Sequence, residues 1–334
     1  MSPVIEVAAL RKVFRVSRRS PGLAGAIAAL VRPRREEVVA VDGIDLAVGP
    51  GEAVGYIGVN GAGKSTTVKL LTGILAPTSG SVRVLGRDPQ RERVANAREI
   101  GVVFGQRTQL WWDLPVVESL GLLARVYGVS PARQRELLAR FDETLGLGEL
   151  LGRPVRQLSL GQRMRAELAV TLLHEPRVVY LDEPTIGLDV MVKDRIRAFL
   201  KAWNREAGTT VVLTTHDLGD IEELCRRVVV IDHGRVLYDG PIARLQERFG
   251  REREMAFDLA VAPPAVLALP PGVREVERGE RRLVLRFDRT AASAPQVAQA
   301  VMQAAEVRDF SVRETDLTAI VKAIYGGALR REGA

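Results

Sequence analysis

The octapeptide "GVNGAGKS", residues 58–65, constrains this chain more than any other stretch. It follows the apolar run "AVGYIG" (53–58) and leads into a helix-like stretch at 64–75. Gly, four residues, Gly, Lys and then Ser is the phosphate-loop pattern. The glycines let backbone N–H groups wrap a triphosphate, the lysine reaches its β and γ phosphates, and the hydroxyl meets magnesium. Here those last two groups are Lys64 and Ser65. Such a loop needs a buried strand before it and a helix after it, so it implies an α/β domain. Alone it does not separate a kinase from a GTPase or a transport ATPase.

Three more short apolar runs resemble the first: "IGVVFG" (100–105), "RVVYL" (177–181) and "TVVLTT" (210–215). Each is too short for a helix, rich in β-branched residues and without strict alternation, as strands buried on both faces of a parallel sheet are. Helix-like stretches at 64–75, 131–145, 162–175 and 190–206 separate them. Alternation of this kind predicts a parallel sheet covered by helices. The runs lead into the phosphate loop, Gln106, Asp182 with Glu183, and His216. Ligands of open α/β sheets bind beyond the carboxyl ends of the strands, so these groups are expected to converge on one site.

In "VVYLDEPT" (178–185), an apolar strand ends on two carboxylates, which is costly unless a cation or a proton transfer compensates. Asp182 is the candidate magnesium contact and Glu183 the candidate acceptor of a proton from an attacking water. Gln106, an uncharged amide, suits contact with both magnesium and that water. His216 suits a hydrogen bond to a γ-phosphate or to Glu183. "LSLGQR" (158–163) sets Ser159 and Gly161 ahead of a helix expected from 162, a second anion-binding helix end. His174 reads as a surface or dipole-compensating residue, His233 as a turn residue, and Cys225 as a small packed hydrophobe.

Composition removes other classes. Hydrophobic residues make up 46% and charged residues 27%, a globular balance. The longest apolar stretch in the first fifty residues, "LAGAIAALV" (23–31), is less than half of the ~20 residues a bilayer span needs. "MSPVIEVAAL" lacks the features of a secretory signal, and the single cysteine leaves no internal disulfide. The net charge of +7 is local, since residues 11–37 carry eight basic and two acidic residues. A single aromatic, Phe14, stands among these basic residues rather than an interleaved series, which argues against a single-strand nucleic-acid platform. The basic and apolar insert at 17–36 is expected to rest on anionic lipid or a membrane subunit as an interfacial helix or hairpin, or else to be a solvated loop.

Beyond about residue 250 the pattern changes. Residues 253–325 read as strand (254–260), short helix (264–269), strand (273–278), strand (281–287), helix (294–304), strand (306–312) and helix (315–325). That order suggests a small α+β, ferredoxin-like domain. The expected division is a nucleotide-binding domain over 1–250, with a helical subdomain over about 107–175, and an accessory domain over 251–334.

The ordered set "GVNGAGKST", Gln106, "LSLGQR", "LDEPTIGLD" and His216 resembles the nucleotide-binding domain of ATP-binding cassette (ABC) proteins over roughly residues 4–245. The resemblance implies ATP and Mg2+ as ligands. Gly58, Asn60, Gly61, Ala62, Gly63, Lys64, Ser65, Thr66 and Thr67 would hold the phosphates, and Ser65, Gln106 and Asp182 the metal. Glu183 would be the catalytic base, His216 the switch histidine, Gln106 the Q-loop, and Asp189 the D-loop. Ser159, Gly161 and Gln162 would form the signature, and Phe14 is the best match to the residue that stacks on adenine. Two positions depart from the common pattern, Leu160 in the signature and Val59 in the loop.

In this family two domains pair head to tail, and the signature of one closes on the ATP of the other. The chain carries one set of motifs, so the resemblance implies a homodimer or heterodimer with separate membrane permease subunits, at the cytoplasmic face of the membrane. The segment "VRETDLTAIVKAIYGG" (312–327) looks like the C-terminal extension of bacterial drug, polysaccharide and lipid exporters. Trp111 and Trp112 fall where such proteins contact the membrane partner; the alternative is that they pack within the helical subdomain. A soluble ABC ATPase acting on ribosomes or DNA is the alternative; no nucleic-acid contact is expected in the leading reading.

Overall fold

The computed structural model describes residues 2–17, 35–105, 107–250, 252–314 and 317–326. Gln106 and the insert, apart from its flanking strand ends at 17 and 35–36, lie outside them. The chain forms two compact units, 1–239 and 240–334.

In the first unit, β1 (Ile5–Ser17), β2 (Arg35–Val48) and β4 (Ser79–Val84) form a three-stranded antiparallel sheet in the order β2-β1-β4. The insert is thus bracketed by the register pair Ser17 and Arg35. The main sheet has six strands in the order β5-β6-β7-β3-β8-β9: β3 (Ala53–Gly58), β5 (Ile100–Phe104), β6 (Val178–Asp182), β7 (Thr210–Thr214), β8 (Arg227–Asp232) and β9 (Arg235–Pro241). The pairings β5–β6, β6–β7, β7–β3 and β3–β8 are parallel, as unbroken apolar runs require. All five residues of β6 and of β7 are buried.

Helix α1 (Lys64–Leu71) lies between the two sheets, where Val68 and Leu71 join a core shared with Val41, Ile44, Val82 and Val84 on one side and Tyr56, Tyr180 and Val229 on the other. It is shorter than the stretch 64–75 predicted. After α2 (Arg93–Glu99) and β5, three helices follow: α3 (Val116–Tyr127), α4 (Pro131–Leu145) and α5 (Leu160–Leu172). The last starts two residues before the expected 162, because Ser159 caps it. Its side chain accepts from Gln162 N, and the Gln162 side chain accepts from Ser159 N, a reciprocal capping box. Helices α6 (Val190–Ala207) and α7 (Leu218–Leu224) complete the unit.

The second unit begins with α8 (Ile242–Phe249), so residues 240–250 cluster with it rather than with the nucleotide-binding domain as expected. Its sheet contains β10 (Glu252–Leu259), β11 (Val273–Arg278), β12 (Arg282–Asp288) and β13 (Val307–Glu314) in the order β11-β12-β10-β13, every pairing antiparallel. That is the strand order of a ferredoxin-like sheet. Helix α9 (Ala294–Ala304) contributes Val297 and Val301 to a core with Met255, Phe257, Leu283, Leu285 and Phe287. Helix α10 (Leu317–Tyr325) packs on α8.

The helix expected at 264–269 does not form. Pro263, Pro264, Pro270 and Pro271 bound the segment and lack N–H groups. The Pro264 carbonyl accepts from the Arg278 side chain at 2.8 Å, and the Leu267 carbonyl from Leu269 N at 3.0 Å. Leu267 and Leu269 still pack on the core.

Candidate nucleotide site

The phosphate loop rises from β3, the strand between β7 and β8. Gly63 caps α1 with φ 109°, a conformation closed to side chains, and a Cβ there would come within 2.4 Å of Ala40 O. Gly61 also has positive φ, 84°. Neither position tolerates a larger residue without moving the loop. Lys64 is buried and its ammonium donates to Gly58 O at 2.6 Å, arched over its own loop. Thr67 donates to Gly63 O and accepts from Tyr56 OH, which ties the first helical turn to β3. Ala62 is buried, whereas Asn60 and Ser65 are exposed. Thr66 is half-buried on the first turn.

Sheet register brings the strand ends level. Phe104 lies opposite Asp182, and Asp182 opposite Thr214. Ser65, Lys69, Phe104, Gly105 and Asp182 line one cavity of about 260 Å³. The serine hydroxyl and the Asp182 carboxylate therefore face a common space next to the phosphate loop. These hard oxygen donors suit magnesium, which takes few protein ligands and keeps water or phosphate oxygens for the rest. Asp182 itself is 9% exposed and accepts from the Thr214 hydroxyl.

Glu183 takes up positive φ, 58°, rare for a residue with a side chain. Conformations of this kind cost about 1 to 3 kcal/mol and persist where their surroundings over-determine them. Here the backbone is held by Glu183 N donating to Thr214 O at 2.8 Å, and the carboxylate by His216, with Nδ1 2.5 Å from Oε2. The Glu183 side chain is mostly covered and the imidazole mostly exposed. Two of the groups expected to converge are thus in direct contact.

The signature stands at the start of α5. Ser159 and Leu160 are exposed, and a Cβ on Gly161 would press against Val192 at 3.3 Å. Gln162 is engaged in the capping box. Asp189 caps α6 by accepting from Val192 N at 3.0 Å. The signature and Asp189 are therefore neighbours, each also a helix cap. Phe14 lies in β1 opposite Val38, with Lys12 Nζ 5.2 Å from its ring. Val38 is two residues along β2 from Ala40, the residue packed against Gly63, so Phe14 is near the phosphate loop.

Sequence reading missed the groups that hold these pieces together. Asp220, fully buried on α7, accepts from Thr185, Thr215 and Arg197. Lys193 donates to Asp217 at 2.6 Å. Arg197 and Lys193 are on α6, Thr185 follows Glu183, and Thr215 and Asp217 flank His216, so one network joins three site-bearing segments. Its only sequence signal is acidic residues one and four positions after His216. Removing one partner of a buried ion pair strands the other charge. Asp220→Ala is accordingly expected to cost ~3–5 kcal/mol, read by denaturant unfolding, whereas an exposed pair such as Arg15–Glu37 lost the same way costs at most ~1 kcal/mol.

A second missed carboxylate is Glu167 on α5. It is buried and accepts from the Thr108 hydroxyl and from Gln109 N at 3.1 Å, and burial raises its pKa. It anchors the segment just after Gln106 to the signature helix. His174 is not a surface residue: it stacks on Tyr127 at 3.9 Å, its Nε2 lies 3.0 Å from Ile100 O, and burial lowers its pKa. Cys225 is buried and its thiol is pushed up to about 12, so it packs as an apolar group.

The profile of the ABC transporter family matches residues 41–186. The daunorubicin/doxorubicin resistance ATP-binding protein DrrA of Streptomyces peucetius is 34% identical over 292 residues, 86% of this chain and 88% of that protein. The Nod factor export ATP-binding protein I of Paraburkholderia xenovorans is 39% identical over 64% of this chain and 70% of its own. The methionine import ATP-binding protein MetN 2 of Bacillus licheniformis is 32% identical over 82% of each. Among solved structures, cbiO1 from Clostridium perfringens, part of the ABC transporter complex cbiONQ, has a TM-score of 0.58 at 27% identity over 75% of this chain and 97% of its own. The dimeric cassette MJ0796, solved in a post-hydrolysis state with ADP and Pi, has a TM-score of 0.59 at 25% identity over 71% and 98%. With the phosphate loop, the acidic strand end and the histidine assembled at the carboxyl ends of neighbouring strands, these relationships establish that the chain belongs to the ATP-binding cassette family of transporter ATPases.

Proposed function

We propose that this chain is the ATP-hydrolysing subunit of a bacterial exporter, acting at the cytoplasmic face of the membrane with a second ABC domain and separate permease subunits. The observation that carries the hydrolytic part is the Glu183–His216 pair beside Asp182 and the phosphate loop. Lys64 and the loop N–H groups hold the triphosphate, and Phe14 takes the adenine face. Ser65, Asp182 and Gln106 hold the magnesium, which supplies charge neutralisation at the transferring phosphate. Glu183 takes the proton of the attacking water, and His216 fixes the direction of that carboxylate.

The export reading rests on the DrrA-type relationship, which spans both units of the chain. Among the described residues no helix is long and apolar enough to cross a membrane, so transport needs membrane-embedded partners. Trp111 and Trp112, 45% and 50% exposed after the Q-loop, are the candidate contact. Arg163 of α5 lies over Trp112 at 5.7 Å, so this surface reports on the signature helix. Extraction from membranes in mild detergent is expected to recover the tagged chain with a polytopic membrane protein, and Trp111→Ala with Trp112→Ala to lower that recovery several-fold. Recovery on ribosomes or DNA, with no membrane protein, overturns the reading. Because the MetN 2 match is nearly as long, direction is read separately: export predicts ATP-driven accumulation inside inverted vesicles.

A further inference from the structure

Strand β13 is an edge of the second unit's sheet, paired on one side with β10. Every residue from Arg308 to Arg313 is exposed, although a paired strand with one covered face would bury alternate side chains. Phe310 lies opposite the core residue Phe257, with ring centroids 5.9 Å apart, yet is 41% exposed where Phe257 is 1% exposed. Val312, opposite the fully buried Met255, is 42% exposed. The apolar core thus runs out to the sheet edge and stops uncovered.

The edge backbone is also open to pairing. Phe310 N donates to its neighbour's carboxylate, Asp309 Oδ1, at 2.8 Å. That N–H therefore points away from β10, and the alternation of an antiparallel ladder turns the backbone groups of Phe310 and Val312 outward with it. On the other face, Asp309 lies opposite Asp258 of β10, whose other cross-strand neighbour is Arg282 of β12, so Asp258 has a guanidinium on its far side and Asp309, at the edge, has a like charge on its near side.

We propose that β13 is an interface with a second copy of this chain, joined as an antiparallel strand pair about a two-fold axis at Ser311. This register puts Phe310 opposite the partner's Val312 and Asp309 opposite the partner's Arg313. The two cores then become continuous, and Asp309 gains a guanidinium on its open side, as Asp258 has in Arg282. Neighbouring two-fold registers lack this match. An axis at Phe310 sets Arg308 against the partner's Val312, and an axis at Asp309 sets Arg308 against the partner's Phe310. Charge and apolar complementarity of the strand with itself select a second copy as the occupant. The contact lies outside the ATP site and goes beyond the head-to-tail pairing of the nucleotide-binding domains.

Ser311 faces its own copy across the axis at a position whose backbone groups turn toward β10, the kind of pair in which opposing Cβ atoms approach to ~4.5–5.5 Å. A cysteine there is within disulfide reach after a small shift. The experiment uses the full chain in a Cys225→Ala background, without nucleotide, so that it is independent of ATP-driven pairing. Ser311→Cys, oxidised with copper phenanthroline and read on a non-reducing gel, is expected to give at least tenfold more linked dimer than Val266→Cys, an 85% exposed control in the same unit. Adding Asp309→Arg or Arg313→Asp alone should cut the yield several-fold, and adding both should restore it. All substituted positions in β13 are exposed, and unchanged thermal unfolding confirms that the variants fold. Yield no greater than that of the Val266→Cys control, or yield indifferent to charge reversal, or no restoration in the double reversal, overturns the proposal.

Discussion

Glu183→Gln is expected to bind ATP normally and to hydrolyse it ~100-fold more slowly or worse. The amide keeps the size of the carboxylate, so the strained backbone at φ 58° and its Thr214 hydrogen bond remain. What is lost is the group proposed to accept a proton from water. The His216 contact at 2.5 Å survives in a weaker, uncharged form, so the side chain keeps its direction. Binding falls to Lys64 and the loop amides, none of which touches Glu183. Equilibrium binding of ATP and single-turnover hydrolysis separate the two effects. Near-normal turnover removes Glu183 from the role of base. With hydrolysis blocked, dimers should accumulate in ATP, since the nucleotide then stabilises the paired form without relief. His216→Ala should lower turnover too, by releasing the carboxylate rather than removing it.

The second large effect is expected from mixing two inactive proteins. Lys64→Ala removes the ammonium proposed to bind phosphate, and Ser159→Arg places a bulky cation at the exposed start of α5. Ser159 Oγ accepts from Gln162 N, which leaves its own proton free to donate outward from the domain. An anion meeting this end also gains from the helix dipole. If that anion is the γ-phosphate held by another copy, each homodimer of these variants has two broken sites, whereas a mixed dimer keeps one whole site. ATPase activity should then reappear on mixing under exchange conditions. If the signature serves its own loop, each chain in the mixture is broken and activity stays at background. Losing the Ser159 cap costs only ~1 kcal/mol, so Ser159→Arg should remain folded. ATP-dependent crosslinking between cysteines at 61 and 160 of different chains gives a second readout, and crosslinks confined to single chains refute trans pairing.

Much of the site was legible in the chain because its chemistry is local. A phosphate loop needs its glycines, Lys64 and Ser65 within a few consecutive residues, so strand, loop and helix were readable together. The buried strands announced themselves through unbroken β-branched runs, and β3, β5, β6 and β7 lie within a residue or so of their expected ends. Caps were partly legible: "LSLGQR" announced a helix start, but its boundary fell at 160 because the side chains of Ser159 and Gln162 satisfy each other's backbone. The apolar residues of 262–272 misled in the opposite way, suggesting a helix against which the bounding prolines argue.

What tertiary structure alone decided are the relationships between residues far apart in the chain. No local pattern says that Asp220 gathers Thr185, Thr215 and Arg197, or that Glu167 holds Thr108 and Gln109, because those partners meet only when helices pack against strand ends. His174 looked like a surface residue beside a helix end and became a half-buried one through Tyr127, forty-seven positions away. The placement of residues 240–250 and the uncovered edge at β13 likewise depend on which surfaces a neighbouring element reaches. Residue type and spacing along the chain determine local conformation and the chemistry of each group, through hydrogen bonds and charges a few residues apart. Burial and long-range pairing are set by packing, and packing decides which of those groups share a site.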